Sequence, residues 1–209
     1  MDIKFRTLNY QLAATQSVVN CFVGQSKSDG NRYMLDKGKR KANNSLQIDF
    51  INDQQGETYT DIAFGNAPIQ DMDRVLSNVQ EQQLAAGLAR SETLVVDDNG
   101  KGKNLTSSQL NLNIEMETGT GKTYCYIRTM FELNKQYGWS KFIIVVPSIA
   151  IREGVYKSLE MMADHFHQVY QKKVRFFVYD SKALHHLESF SADGGVNVMV
   201  INVQAFNAT

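Results

Sequence analysis

The chain has 209 residues, 43% apolar and 21% charged, and its 22 basic side chains balance 22 acidic ones. That length and composition support one sizeable core and exclude a chain-wide field that draws DNA or membrane, so a nucleic-acid contact has to use a local basic surface. No apolar stretch is long enough to cross a bilayer, residues 1–6 lead into no secretory pattern, and Cys21 and Cys125 lack CxxC spacing, as expected of free thiols in the cytoplasm.

Residues 1–24 read as a short extended piece and a helix with Leu12, Thr15, Val18, Val19 and Phe22 on one face, stopped by Gly24. Residues 25–108 are polar and punctuated, and read as an insertion or small subregion. Within them lie a basic run from Lys37 to Lys41, an alternating strand over 46–51, a helix over 71–89 through Val75, Leu76, Val79 and Ala86, a short strand at 93–96, and a loop over 97–108. The basic run reads as a solvated loop. Asp97 and Asp98, after an apolar pair, read as an acidic turn and not as a Mg²⁺ motif.

From Leu110 the pattern alternates strand and helix. A strand over 110–116 meets a glycine loop, and a helix follows to about Tyr137, with Gly138 as its stop. Phe142 to Val146 is a continuous apolar run, as in a strand covered on both faces. Pro147 ends it and Ser148 caps a helix carrying Ile151, Val155, Leu159, Met162 and Phe166 on one stripe. Strands over 174–178 and 196–203 complete the series. This order predicts a parallel sheet with helices on both faces and right-handed crossovers.

The segment Met116-Glu117-Thr118-Gly119-Thr120-Gly121-Lys122-Thr123 carries the chemistry. Gly119 and Gly121 let backbone N–H groups close on phosphate oxygens, because no Cβ intervenes. The following helix turns its positive end to the same place. Lys122 supplies charge to the β- and γ-phosphates, and Thr123 a hydroxyl to Mg²⁺. Met116 stands where the GxxxxGK[ST] pattern has its first glycine, a position that helicase-type motors relax while keeping T-G-x-G-K-T. The expected cofactors are ATP and Mg²⁺, bound through Thr118 to Thr123, with Lys122 and Thr123 as the catalytic pair.

The sequence resembles the restriction (Res) subunit of type III restriction-modification enzymes, which carries a superfamily 2 helicase motor. The resemblance rests on residues 115–124 with Arg128-Thr129, on residues 141–155 including Pro147-Ser148-Ile149-Ala150-Ile151-Arg152-Glu153-Gly154, on Tyr179-Asp180-Ser181, on residues 200–207, and on Leu8-Asn9-Tyr10-Gln11. These segments cover about half the chain.

The resemblance implies a RecA-like P-loop three-layer sandwich with a parallel sheet, truncated and with an insertion before the P-loop: residues 1–24 as an adenine-reading helix region, 25–108 as the insertion, and 109–209 as a partial helicase ATP-binding domain. It implies that Gln11 reads the adenine edge, since an amide donates and accepts at once, with Tyr10 beside the base. It implies backbone contacts to double-stranded DNA at Pro147, Ser148 and Arg152, set against a plain N-cap at Ser148 and a solvated charge at Arg152. A modification methyltransferase subunit is the implied partner, and no membrane is involved. The family's acidic Mg²⁺-holding motif, second motor lobe and nuclease domain have no counterpart in these 209 residues, so weak nucleotide binding and little turnover are expected. The rivals are a general superfamily 2 helicase or type I restriction motor, a P-loop kinase or small GTPase, and an inactive truncated product.

Of the remaining candidates, His165, His167, His185 and His186 show no metal-ligand spacing. Trp139 reads as packing at the sheet edge, and Cys125 as a core-facing thiol.

Overall fold

A computed structural model describes residues 5–28, 31–34, 39–40, 46–48, 62–96, 110–183 and 185–206. Its central sheet is parallel, in the order β7 (Lys141–Val146), β9 (Val196–Asn202), β8 (Val174–Val178). Ile144 stands opposite Val200 across one pairing and Phe176 opposite Val198 across the other. Such pairing demands crossover connections. These are α4 (Ile149–Tyr170) between β7 and β8, and α5 (His185–Ala192) between β8 and β9.

Successive side chains of β8 leave on opposite faces. Phe176 meets Tyr156 of α4 edge-on at 5.2 Å, and Phe177 meets Phe190 of α5 at 5.9 Å. The sheet is therefore the middle of three layers, as the alternating pattern predicts. On the α4 side it shares a core with α3 (Lys122–Tyr137): Ile127, Phe131, Leu159, Phe166, Val198 and Val200 are buried there. Full burial of a side chain such as Phe166 contributes about 1.5–3 kcal/mol. Ser148 caps α4 as expected, its Oγ accepting from the Ile151 N–H at 3.3 Å. Val155, Leu159, Met162 and Phe166 form the buried stripe, but Ile151 is 48% exposed. The stripe begins one turn later than expected, and both isoleucines of the first turn, Ile149 and Ile151, are exposed.

A second core gathers the N-terminal elements. Val19 and Phe22 at the end of α1 (Asn9–Asn20), Val75 of α2 (Met72–Ala85), and Leu133 and Tyr137 at the far end of α3 pack with Trp139. Trp139 stands edge-on to Phe22 at 4.9 Å and donates its indole N–H to the Ala67 carbonyl, in a core against which Phe142 of the edge strand β7 also packs. The buried Asn78 amide donates to the Cys21 and Val23 carbonyls at 3.1 and 2.9 Å, tying α2 to the end of α1. Asn66 receives the Ser140 and Lys141 N–H groups at 2.7 and 2.9 Å and donates to the Lys141 carbonyl, binding the loop after β4 (Ile62–Gly65) to the start of β7.

Three two-stranded antiparallel ribbons complete the described structure. They are β1 (Asn31–Met34) with β4, β2 (Lys39–Arg40) with β3 (Leu46–Ile48), and β5 (Val95–Val96) with β6 (Leu110–Asn111). The last of these corrects the strand expected over 110–116, of which only Leu110–Asn111 is strand. Strand needs a neighbour for its backbone groups, and pairing with Val95–Val96 ends at Asn111. Helix α2 stops at Ala85 and not near 89, with Gly87 at φ 70° just beyond. Gly138, at φ 78°, ends α3 as expected, whereas α1 stops at Asn20 with Cys21 as its cap, and Gly24, at φ 99°, lies in the turn beyond and does not itself stop the helix. Residues 49–51, Asp97, Asp98 and most of the basic run at 37–41 lie outside the described residues.

Candidate nucleotide-binding site

The glycine loop opens directly into α3. Gly121, the residue before the helix, adopts φ 87° and ψ 37°, and Gly119 φ 81°. Both are left-handed, which costs L-residues with a Cβ roughly 1–2 kcal/mol. The first helical bond runs from the Cys125 N–H to the Gly121 carbonyl at 3.1 Å, which leaves the N–H groups of Lys122, Thr123 and Tyr124 without an intrahelical acceptor. A helix end of this kind holds an anion through those donors and its dipole.

Lys122 is exposed, and its ammonium curls back over the loop to the Met116 and Glu117 carbonyls at 2.6 and 2.7 Å. Thr120 Oγ1 donates to the same Glu117 carbonyl at 2.7 Å. The loop thus holds one full positive charge over a ring of backbone dipoles. Carbonyls carry only partial negative charge, so phosphate oxygens compete effectively for that ammonium. The donor set fits a triphosphate tail. Thr123 sits beside Lys122 in the first turn of α3, where a hydroxyl ligand for Mg²⁺ would belong.

Gln11 is buried on α1 and donates its Nε2 to the Thr120 carbonyl at 3.0 Å, 109 positions along the chain. The expected adenine reader is therefore also a tether of the phosphate loop. One amide N–H goes to Thr120, which leaves the second N–H and the carbonyl oxygen for a base edge. Tyr10, next to it, is 49% exposed, with a ring open to stacking. Behind the loop, the buried Cys125 thiol lies 3.9 Å from the Gln11 carbonyl, and burial pushes its pKa up. A thiol of that kind is packing and not a nucleophile.

Pro147, Ser148 and Arg152 lie together at the carboxyl end of β7. Ligands of open parallel sheets bind at that end of the strands. Arg152 is held by Glu153 through Nε at 3.2 Å and Nη2 at 3.0 Å, and by Asn202 at the end of β9 through Nη1 at 3.5 Å. Gln204 donates to the Pro147 carbonyl at 3.0 Å. Sequence reading did not single out Asn202 or Gln204. Their signal was there, as polar amides directly after a buried apolar strand.

A third cluster was also missed. Arg128 donates to the Tyr124 hydroxyl at 3.0 Å, and that hydroxyl lies 3.2 Å from His165 Nε2, under the Phe5 ring at 4.7 Å from the imidazole. Burial, followed by the charge of Arg128, holds the His165 pKa below its ordinary value. Among the described residues no three His, Cys, Asp or Glu side chains gather as a metal site, and no helix is long and apolar enough to cross a membrane.

A glycine loop at a helix start, set beside a parallel sheet layered between helices, defines a P-loop domain of the RecA-like kind. Residues 5–209 match the sequence model of the type III restriction enzyme, res subunit. Among curated proteins, the chain is 36% identical over 108 residues to the EcoP15I Res subunit of Escherichia coli, covering 51% of this chain and 10% of that one. It is 41% identical over 101 residues to the StyLTI Res subunit of Salmonella typhimurium, covering 44% and 10%. It is 44% identical over 69 residues to the EcoPI Res subunit of Escherichia phage P1, covering 32% and 7%. The chain belongs to the type III restriction enzyme Res-subunit family. The matched segments amount to a tenth or less of the curated relatives' length.

Proposed function

We propose that this chain is the ATP-binding part of a DNA-translocating motor, acting within a type III restriction endonuclease alongside a modification methyltransferase subunit in the cytoplasm. The observation that carries the reading is the Lys122 ammonium folded over the Met116 and Glu117 carbonyls at the open N-terminus of α3. Residues 118–123 hold the phosphates, Gln11 and Tyr10 the base, and Thr123 the magnesium ion. Bound Mg²⁺ offsets phosphate charge and polarises the terminal phosphoryl group. Residues 1–24, 25–108 and 109–209 serve as base reader, insertion and motor core. Pro147, Ser148 and Arg152 form the DNA-facing patch.

Phosphoryl transfer also needs an oriented water and further positive charge at the leaving group. The test is titration of the chain with a fluorescent ATP analogue plus Mg²⁺, with competition by ATP and GTP. Saturable binding that ATP displaces better than GTP, and that Lys122→Ala abolishes, supports the reading. Binding that Lys122→Ala leaves unchanged sinks it.

A further inference from the structure

Arg152, Asn202, Gln204 and Pro147 are joined in one directed chain of hydrogen bonds. Arg152 Nη1 donates to Asn202 Oδ1 at 3.5 Å, Asn202 Nδ2 donates to Gln204 Oε1 at 2.9 Å, and Gln204 Nε2 donates to the Pro147 carbonyl at 3.0 Å. The direction is set at its far end, because a carbonyl only accepts. Gln204 must turn its NH₂ to Pro147 and its oxygen to Asn202, and Asn202 must then turn its own oxygen to the guanidinium. The relay joins the turn after β9 to the turn after β7, at the sheet end where ligands of this architecture bind.

The other side of the guanidinium faces Glu153, whose Oε1 takes both Nε and Nη2. Glu153 follows Arg152 directly and its side chain is 53% exposed, against 21% for Arg152. An exposed pair of this kind contributes little stability, a few tenths to about 1 kcal/mol. It does present the Nε–Nη2 edge, the geometry that phosphate oxygens also use.

We propose that Asn202 and Gln204 are positioning residues that aim Arg152 at a phosphate of duplex DNA, and that Glu153 keeps that phosphate's place when DNA is absent. The proposal rests on the DNA reading of the Pro147–Arg152 patch. The relay fixes one edge of the guanidinium and leaves the other to exchange a carboxylate for a phosphate. The contact is then a single aimed charge.

The experiment is a salt titration of the 209-residue chain and its variants against a short fluorescein-labelled duplex of arbitrary sequence, followed by anisotropy. Each phosphate contact adds about one unit to the slope of log affinity against log salt. Arg152→Ala is expected to weaken binding and lower the slope by about one. Gln204→Met keeps the length and removes both hydrogen bonds, and is expected to do most of the same. The double variant should be no weaker than Arg152→Ala, because Gln204 acts only through Arg152. Asn202→Asp, which puts a carboxylate against the guanidinium, should also lower the slope and should retain the thermal midpoint. Glu153→Gln should tighten binding at low salt. Wild-type slopes in Gln204→Met and Asn202→Asp, or a Gln204→Met loss that adds in full to that of Arg152→Ala, overturn the relay while leaving the DNA patch standing. An unchanged slope in Arg152→Ala overturns the patch and the relay together. No tightening in Glu153→Gln overturns the placeholder role.

Discussion

The Gln11 side-chain amide lies 3.0 Å from the Thr120 carbonyl, so the helix that opens the chain holds the phosphate loop from behind. In the proposed function, base recognition and phosphate grip share this one side chain. Replacing Gln11 by Ala removes both, and the expected result is an ATP dissociation constant roughly tenfold higher, from the loss of about 1–1.5 kcal/mol of hydrogen bonding. The preference for ATP over GTP should narrow in the same variant. Competition titrations with the two nucleotides measure both effects. A Gln11→Ala chain that binds ATP normally would show that the amide serves packing alone.

The two loop glycines are expected to differ. A Cβ at Gly121 would lie 2.5 Å from Gln11 Nε2, and its φ is 87°. At Gly119, with φ 81°, a Cβ would meet nothing within 4 Å. Gly119→Ala therefore costs only its left-handed backbone, about 1–2 kcal/mol. Gly121→Ala adds displacement of the Gln11 tether and should be worse by a further 1 kcal/mol or so. Thermal melts of the pair check the order. Equal losses would mean that the tether has no part in loop stability.

Asn78 tests whether α2 belongs to the same folding unit as α1 and α3. Asn78→Ala leaves the Cys21 and Val23 carbonyls without their buried donor. The expected loss is about 1–3 kcal/mol, within a single cooperative transition seen alike by circular dichroism and Trp139 fluorescence. Two separated transitions would instead make residues 25–108 an independent subregion.

His165 gives the protein a pH dependence of known sign. Its pKa is lowered in the folded state, by burial and then by Arg128, so the unfolded chain takes up a proton first as pH falls. The contribution of neutral His165 is complete above its ordinary pKa, near 6.5. It is lost as pH falls from there through the lower folded value. The midpoint of melting should thus drop as pH falls below about 6.5, and the drop should be smaller in His165→Gln, which still has a group to meet the Tyr124 hydroxyl. An identical drop in that variant would assign the effect to other groups.

Much of this protein was legible without coordinates. Loop, lysine and threonine stand in an order that backbone chemistry dictates, and the apolar runs at 142–146 and 196–201 announce strands. The run at 196–201 is buried throughout, but the cover on both faces expected of 142–146 is not found: Ile143 and Val145 are 54% and 51% exposed, because β7 is an edge strand of the described sheet with one face left open. Gly138 and Ser148 mark helix ends by their own local stereochemistry. Each of these is a property of neighbours in the chain, which is why sequence carries it.

What tertiary structure decided depends on partners far apart. Residues 112–116 have strand-like composition, yet the β5–β6 pairing ends at Asn111, and a strand exists only where a neighbour accepts its hydrogen bonds. Gln11 meets Thr120 across 109 positions, His165 meets Tyr124 across 41, and Gln204 meets Pro147 across 57. Local propensity sets the elements. Which amide faces which carbonyl is set by packing two cores and closing parallel crossovers, and no periodicity in the chain encodes it.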